Sequence, residues 1–326
     1  YISIISDLAE ELNRCLDLNY SLRAWKIILG NWLIRLIWIC HEKFFYINHV
    51  LKRHGDEIDK IYSFNTKNYS IATEDTYGIL IGAKDVVWNN AFYNKILSYL
   101  NVKFEIVLIE NKKKSLEYEN FFELSKNKNY KIKLIELISN LINKIRKNKN
   151  FLIDKTYLPF EAEKKLEIML NEWPSFYNVN QAHYKNIDIN FRKSIDLKKD
   201  NLQSLETFIR KILPESLPTS IIESANSIIK NLDKTSFPKN PKAILTSNSY
   251  DFDEVFKFYT AKNVDAGCKY YVGQHGGTYF VDMGSNFRNE IDTSDKFFSW
   301  GYKSNNKKII PLFNIKTFKK KRARIN

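Results

Sequence analysis

The stretch KAILTSNSYDFDEVFKFYTAKNVDAGCKYYVGQHGG, residues 242–277, has the pattern of a complete β-α-β unit. A short apolar strand ends in the polar turn SNSYD, and Asp251 with Glu254 three residues later is an imperfect helix-start signal. The helix that follows ends at Gly267, and a second strand, KYYVG, runs into QHGGT. Because ligands of open α/β sheets bind at the carboxyl ends of the strands, we expect both polar tips to lie side by side on the functional edge.

Strands and helices alternate over much of the preceding chain, which predicts an α/β fold with a Rossmann-like parallel sheet and many helices. The predicted elements are helices within the first fifty residues, a strand at 77–82, a helix at 88–100, a strand at 103–109, a helix at 130–147, a strand at 151–154 and a helix at 160–171 with Ala162, Leu166, Met169 and Leu170 on one face.

The second half continues with a weakly patterned polar segment and two amphipathic helices. We predict a loop over 176–199, and Pro214 and Pro218 are expected to separate the helices. The apolar positions are Leu205, Phe208, Ile209 and Ile212 on the first helix and Ile221, Ala225, Ile228, Ile229 and Leu232 on the second. A further strand, KFFSWG, follows the β-α-β unit at 296–301.

The composition is that of a globular protein, since 44% of the 326 residues are hydrophobic and 27% are charged. A solvated lysine-rich surface explains the net charge of +14, with attraction to anionic lipid, phosphate-bearing substrates or nucleic acid as the alternative. Three cysteines without CxxC spacing indicate neither a disulfide framework nor a zinc site and fit a reducing cytoplasm.

Residues 25–45, WKIILGNWLIRLIWICHEKFF, are too short and too charged to span a membrane. We predict a buried helix here. A helix lying on a membrane surface is the alternative, because Trp25, Trp32 and Trp38 have basic neighbours.

Glycine is concentrated around one histidine. Six of the ten glycines lie between 267 and 301, and none lies between 83 and 266. His275 directly follows a strand, where an imidazole can act as a general base or bind phosphate. Gly276 and Gly277 would let backbone N–H groups approach an anion. The neighbouring polar residues predicted to bind substrate are Ser247, Asn248, Gln274 and Thr278.

Carboxylates near the next strand are the candidate partners of His275. Glu290 and Asp295 are predicted to orient the histidine or to act as the base. The alternatives are a tight turn with a structural histidine for QHGG, and capping or turn roles for Asp292 and Asp295. The other histidines are assigned no site, and TFKKKRAR at 317–324 is interpreted as a solvated linker.

Four separated segments together resemble a known family. They are LRAWKIILGNWL (22–33), IDKTYLPF with LNEWPSF (153–176), the β-α-β unit through its QHGG turn, and EIDTSDKFFSWGY (290–302). In this order they are similar to the LIC12162-type family of surface-polysaccharide and O-antigen transferases. The strand-QHG turn is also distantly similar to a histidine turn of teichoic-acid glycerophosphotransferases and a glycine turn of capsule Kdo transferases.

The resemblance implies the N-terminal half of a GT-B glycosyltransferase. Residues 1–310 would form the acceptor-side Rossmann-like domain with helical insertions, and 311–326 a linker toward a second domain. The implied protein is cytoplasmic, with association at the inner face of the membrane left open. It would use a nucleotide sugar as donor and a glycan or lipid-linked glycan as acceptor, without metal, other cofactor or nucleic acid.

Two further functions remain as alternatives at this point. One is a non-catalytic protein that binds phosphate or glycan through the glycine turn, and the other is a glycerophosphotransferase-like envelope enzyme. A basic nucleic-acid binder is a third interpretation, and it predicts an affinity that falls steeply with salt.

Overall fold

The computed structural model describes residues 1–117, 149–175, 177, 184–197, 204–277, 279 and 287–318. The helix predicted over 130–147 and the candidate Thr278 lie outside the described residues. The chain divides into two compact units. The first comprises residues 1–22, 29–124 and 183–226, and the second comprises 23–28, 125–182 and 227–326.

The first unit combines helices with a two-stranded parallel sheet. Strand β1 (Lys60–Phe64) pairs with β2 (Glu105–Ile109), with Lys60 opposite Glu105 and Phe64 opposite Ile109. Two helices are shared between the units, because residues 23–28 of α2 and residues 227–231 of α8 belong to the second unit. The helices that lie wholly or partly in the first unit are α1 (Ile2–Leu16), α2 (Leu22–His54), α3 (Gly78–Gly82), α4 (Val86–Leu100), α6 (Ile189–Lys193), α7 (Leu205–Ser216) and α8 (Ala225–Asn231).

Three predictions for this unit were wrong. Residues 78–82 form helix α3, not a strand, because the Asp75 carboxylate accepts a 2.8 Å hydrogen bond from the Gly78 N–H and starts a helical turn. The predicted loop contains α6, which Asp188 caps in the same way at Phe191. Pro214 lies inside α7. Strand β1 was missed because its pattern is polar, and Ser63 is its one buried residue.

The second unit contains a five-stranded sheet of order β3-β4-β5-β6-β7, and every pairing is parallel. Ile244, Val272 and Phe297 from three of its strands are fully buried. This confirms the predicted α/β fold with a Rossmann-like parallel sheet. The strands are β3 (Phe151–Asp154), β4 (Ala243–Thr246), β5 (Lys269–Gly273), β6 (Lys296–Trp300) and β7 (Ile309–Leu312). The helices are α5 (Phe160–Met169), α9 (Ser249–Phe252), α10 (Glu254–Asp265) and α11 (Phe287–Thr293).

The predicted β-α-β unit is confirmed as β4-α10-β5. Its helix start differs in detail, because Asp253 is the N-cap and accepts a 2.9 Å hydrogen bond from the Phe256 N–H. Gly267, at φ +95°, ends the helix as expected.

Helix α5 buries a different face from the predicted one. Met169 is 74% exposed, whereas Glu167 is buried. The Glu167 carboxylate accepts hydrogen bonds from the Ser175 N–H at 2.6 Å and from the Lys164 ammonium at 3.1 Å. These partners satisfy the buried charge and hold that face of the helix inward.

The long helix α2 is partly a core element. Trp25 and Trp32 are buried, in agreement with the predicted buried helix, but Trp38 is 51% exposed. Within the described part of the chain, neither α2 nor another helix combines the length and apolarity that crossing a bilayer requires.

A side chain would not fit at Gly273, the last residue of β5. A Cβ built at this position would lie 2.3 Å from Ser247 Oγ and 3.3 Å from Ile315 Cδ1. We expect Gly273→Ala to lower the free energy of unfolding by about 1–3 kcal/mol because of this overpacking. Chemical denaturation measures the loss, and the double variant Gly273→Ala/Ser247→Ala should recover part of it. Equal stability of Gly273→Ala and the wild type would contradict the packing described.

Candidate active site

The candidate site lies at the carboxyl ends of the parallel strands in the second unit. Strand pairing sets Thr246 opposite Val272, so the segments that follow β4 and β5 leave the sheet together. Tyr250, after β4, places its hydroxyl 2.6 Å from Nδ1 of His275, after β5. The two polar tips predicted from the sequence therefore do lie side by side.

His275 is half-buried and its Nδ1 faces two phenols. The Tyr279 hydroxyl lies 2.5 Å from the same nitrogen, and the two tyrosine hydroxyls are 3.0 Å apart. Tyr279 donates a 2.6 Å hydrogen bond to Oε2 of Glu290, which is buried on α11. The structure thus brings together two of the predicted catalytic residues, His275 and Glu290, through a phenol that connects them.

Both phenols stay protonated in this environment. Burial, followed by the charge of Glu290, raises the pKa of Tyr250 and of Tyr279 far above the usual value for tyrosine. Each hydroxyl therefore has one proton to donate. Tyr279 donates to Glu290, and Tyr250 can donate to the Tyr279 oxygen 3.0 Å away, so both phenols are compatible with a proton carried on Nδ1 of His275.

The Gln274 side chain holds the turn that carries His275. Its amide nitrogen donates to the Gly276 carbonyl at 2.6 Å, and its amide oxygen accepts from the Trp300 N–H at 2.8 Å. The Gln274 N–H also donates to Phe298, on neighbouring β6. Gln274 is buried, and its hydrogen bonds hold the turn against β6.

Among the described residues, nothing would clash with a side chain at Gly276 or Gly277. A Cβ at Gly276 would make only an ordinary 3.8 Å contact with Tyr279, and at Gly277 it would meet nothing within 4 Å among the described residues. Neither glycine has a positive φ. Packing within the described part of the chain therefore does not account for glycine at these two positions.

The two candidates after β4 differ in burial. Ser247 is fully buried, and its hydroxyl has no hydrogen-bond partner among the described residues. Asn248 is half-buried, and its N–H donates to the Thr246 hydroxyl at 3.2 Å. Both residues lie at the same strand ends as His275.

Asp295 is not brought to His275. It immediately precedes β6 and so lies at the amino-terminal edge of the parallel sheet, opposite the histidine. Its carboxylate accepts hydrogen bonds from Arg23 at 2.7 Å and from the Tyr270 N–H at 2.9 Å. Burial opposes ionisation, but these partners outweigh it and lower the pKa of Asp295. Asp292, on α11, is exposed.

A further group of side chains follows β3 and was not among the predicted site residues. Lys155 and Tyr157 have φ values of +48° and +63°, a region that bulky residues rarely adopt. The Tyr157 ring stacks on His275 at a centroid distance of 6.5 Å, and the Lys316 ammonium lies 4.2 Å from the centroid of the same ring. Backbone strain of this kind is concentrated at functional sites.

A buried ionic cluster lies at the carboxyl end of β3. The Lys155 ammonium lies 3.7 Å from Asp154 and 3.6 Å from Asp253, and it has no hydrogen-bond partner among the described residues. Asp154 accepts a 2.5 Å hydrogen bond from Ser249. Burial raises the pKa of Asp154, and it raises that of Asp253 to about 6. The cluster ties β3 to the start of α10.

Within the described residues, no group of three histidine, cysteine, aspartate or glutamate side chains could hold a metal ion.

The raised pKa of Asp253 predicts a specific pH dependence of stability. The folded protein binds this proton more tightly than the unfolded chain does. The free energy of unfolding should therefore fall as the pH rises from about 4 to about 6, by at most about 3 kcal/mol. Asp253→Asn keeps the N-cap and cannot titrate, so this part of the fall should disappear. Denaturation of both proteins from pH 4 to 7 measures the difference, and parallel curves would contradict the assignment.

Comparison with known proteins identifies the family. The family model described as LIC12162 family transferase matches residues 1–326, which is the whole chain. No curated protein and no solved structure matches it. The resemblance carried by the four sequence segments is thereby confirmed, and the chain belongs to the LIC12162 family of transferases.

Proposed function

We propose that this transferase is a glycosyltransferase that moves a sugar from a nucleotide-activated donor to a surface-glycan acceptor. The observation that carries the proposal is the position of His275. It stands at the carboxyl edge of a parallel sheet, where α/β proteins bind their ligands, and two phenols and a buried carboxylate fix its ring. A ring held in this way suits proton transfer at its other nitrogen, Nε2.

In the proposed reaction His275 is the general base. Its Nε2 takes the proton of an acceptor hydroxyl while the acceptor oxygen bonds to the anomeric carbon of the donor sugar. The bond between that carbon and the phosphate oxygen breaks, and the nucleotide leaves with the electron pair. The histidine is then an imidazolium that must return its proton to solvent or product.

Tyr279 and Glu290 act as positioning residues in this scheme. A proton on Nδ1 donates to the Tyr279 oxygen, and the Tyr279 hydroxyl donates to Glu290. This chain of hydrogen bonds would favour the tautomer whose Nε2 carries no proton, and it would support the positive charge that develops on the ring. Because Tyr279 and Glu290 are buried, these hydrogen bonds are stronger than they would be in water.

The charge of the leaving group needs a separate partner. Among the described residues nothing would clash with a Cβ at Gly276 or Gly277, and in this proposal the backbone N–H groups of the turn bind the phosphate. Tyr157 positions the Lys316 ammonium by a cation–π contact while stacking on His275 itself. A cation and backbone dipoles near the base can stabilise departing phosphate without a metal ion.

The expected effect of His275→Ala is a loss of transfer of about 100-fold or more, because general-base catalysis is removed. The measurement is the amount of surface glycan on cells whose one gene copy carries the variant, at matched protein level. His54→Ala is the matched control, since His54 is an exposed histidine that contacts Glu57 and lies outside the site. It should leave the glycan unchanged.

An unchanged glycan in His275→Ala cells would contradict the catalytic role. Loss of glycan together with loss of protein would be a folding defect, and so the unfolding transition of the purified variant is measured in parallel. A non-catalytic phosphate- or glycan-binding protein would instead retain its cellular function when the imidazole is replaced by the hydrogen-bonding amide of glutamine.

A further inference from the structure

The outer side of α2 exposes a row of ring-bearing side chains, here called the aromatic stripe. Its members are Trp38, His41, Phe45, Tyr46 and His49. Trp38, Phe45 and Tyr46 are 51%, 60% and 57% exposed, and both histidines are exposed. Spacings of three, four and seven residues place these side chains on neighbouring turns of one side of the helix.

The rings of the stripe contact one another in sequence. Trp38 meets His41 edge-on at a centroid distance of 6.3 Å, His41 stacks on Phe45 at 6.4 Å, and Phe45 stacks on His49 at 6.1 Å. The interplanar angles of the two stacked pairs are 13° and 20°. The stripe is therefore a continuous surface of rings.

Core packing does not account for the stripe. The opposite side of the same helix is buried through Leu36, Cys40 and Lys43, and the Lys43 ammonium lies 4.5 Å from the centroid of the Tyr93 ring. That side anchors α2 in its unit. A single exposed aromatic residue needs no explanation, but a contiguous exposed apolar surface marks an interaction site.

The charges around the stripe indicate the chemistry of its partner. Lys52 and Arg53 lie in the last turn of α2 on the same side as Phe45 and His49. Glu42 also lies on this side and opposes them. The chain as a whole carries a net charge of +14, so the long-range field favours an anionic surface.

We propose that the aromatic stripe docks on the surface of an anionic membrane. Tryptophan, tyrosine and phenylalanine side chains would enter the level of the lipid headgroups, and Lys52 and Arg53 would contact lipid phosphates. The helix would lie along the surface without crossing the bilayer. This proposal is independent of the reaction assigned to His275, because it concerns the other unit and requires no turnover.

Sedimentation with vesicles tests the proposal directly. The purified chain is mixed with vesicles of phosphatidylcholine alone or of phosphatidylcholine with phosphatidylglycerol. The expected result is binding to the second kind, weakened by salt. Trp38→Ala/Phe45→Ala should reduce the partition coefficient about tenfold or more, because two rings lose their burial in the interface.

The chain offers a closely matched control. Trp173 and Phe160 are 51% and 58% exposed but lie outside the stripe, in the second unit. Trp173→Ala/Phe160→Ala should leave vesicle binding unchanged. Glu42→Gln should strengthen binding to anionic vesicles, because it removes the opposing charge, and it should not change the result with neutral vesicles.

Three results would overturn the proposal. The first is an absence of vesicle binding by the wild-type chain, and the second is an equal loss of binding in the stripe variant and the control. The third is a wild-type dimer, or a complex with single-stranded RNA, that the stripe variant disrupts while vesicle binding persists. Thermal unfolding of each variant shows that a loss of binding does not reflect a loss of fold.

Discussion

The parallel pairing of β4 with β5 is the constraint on which the candidate site depends. With Thr246 opposite Val272, the chain that leaves β4 must run beside the chain that leaves β5. Gly273 allows the close approach, since a Cβ there would collide with Ser247. The consequence is that Tyr250 reaches Nδ1 of His275 across the strand boundary. A shift in register would separate the phenol from the imidazole and leave both without their described contact.

Much of this arrangement could be predicted from the sequence, and the reasons for the remainder are physical. Polar segments after two apolar strands indicated the ligand-binding edge of the sheet. The glycines around His275 indicated that this residue lies on a turn. Tyr250 and Tyr279 were overlooked as site residues because aromatic side chains beside strands usually belong to the core. Lys155 and Tyr157 were missed because their partners, Asp253 and His275, are about a hundred residues away in the sequence, and a positive φ leaves no pattern in it. Asp295 was wrongly placed with His275, because a residue that precedes a strand and a residue that follows a parallel neighbour lie at opposite edges of the sheet.

The strand at 60–64 and the helix at 78–82 show the same limit in the first unit. Lys-Ile-Tyr-Ser-Phe has no apolar run, yet it pairs with β2 as a strand. Asn90 and Asn94 accept hydrogen bonds from its buried Ser63, and Asn90 also accepts one from the Phe64 N–H. Gly-Ile-Leu-Ile-Gly has a strand-like composition, yet Asp75 makes it helical. In both cases polar side chains outside the segment accept hydrogen bonds from it, and hydrophobic periodicity does not register such contacts. The four segments that resemble the family, by contrast, could be recognised without knowledge of contacts between distant residues.

The proposed mechanism depends on which ring nitrogen of His275 carries the proton. The account requires the proton on Nδ1, donated toward Tyr279 and through it supported by Glu290, with Nε2 as the basic nitrogen. Nitrogen-15 spectra of histidine-labelled protein distinguish the two tautomers, and His275→Gln assigns the signal among the five histidines of the chain. We predict a protonated Nδ1 at neutral pH, and a loss of this preference in Glu290→Gln. A proton on Nε2 in the wild-type protein would contradict the account.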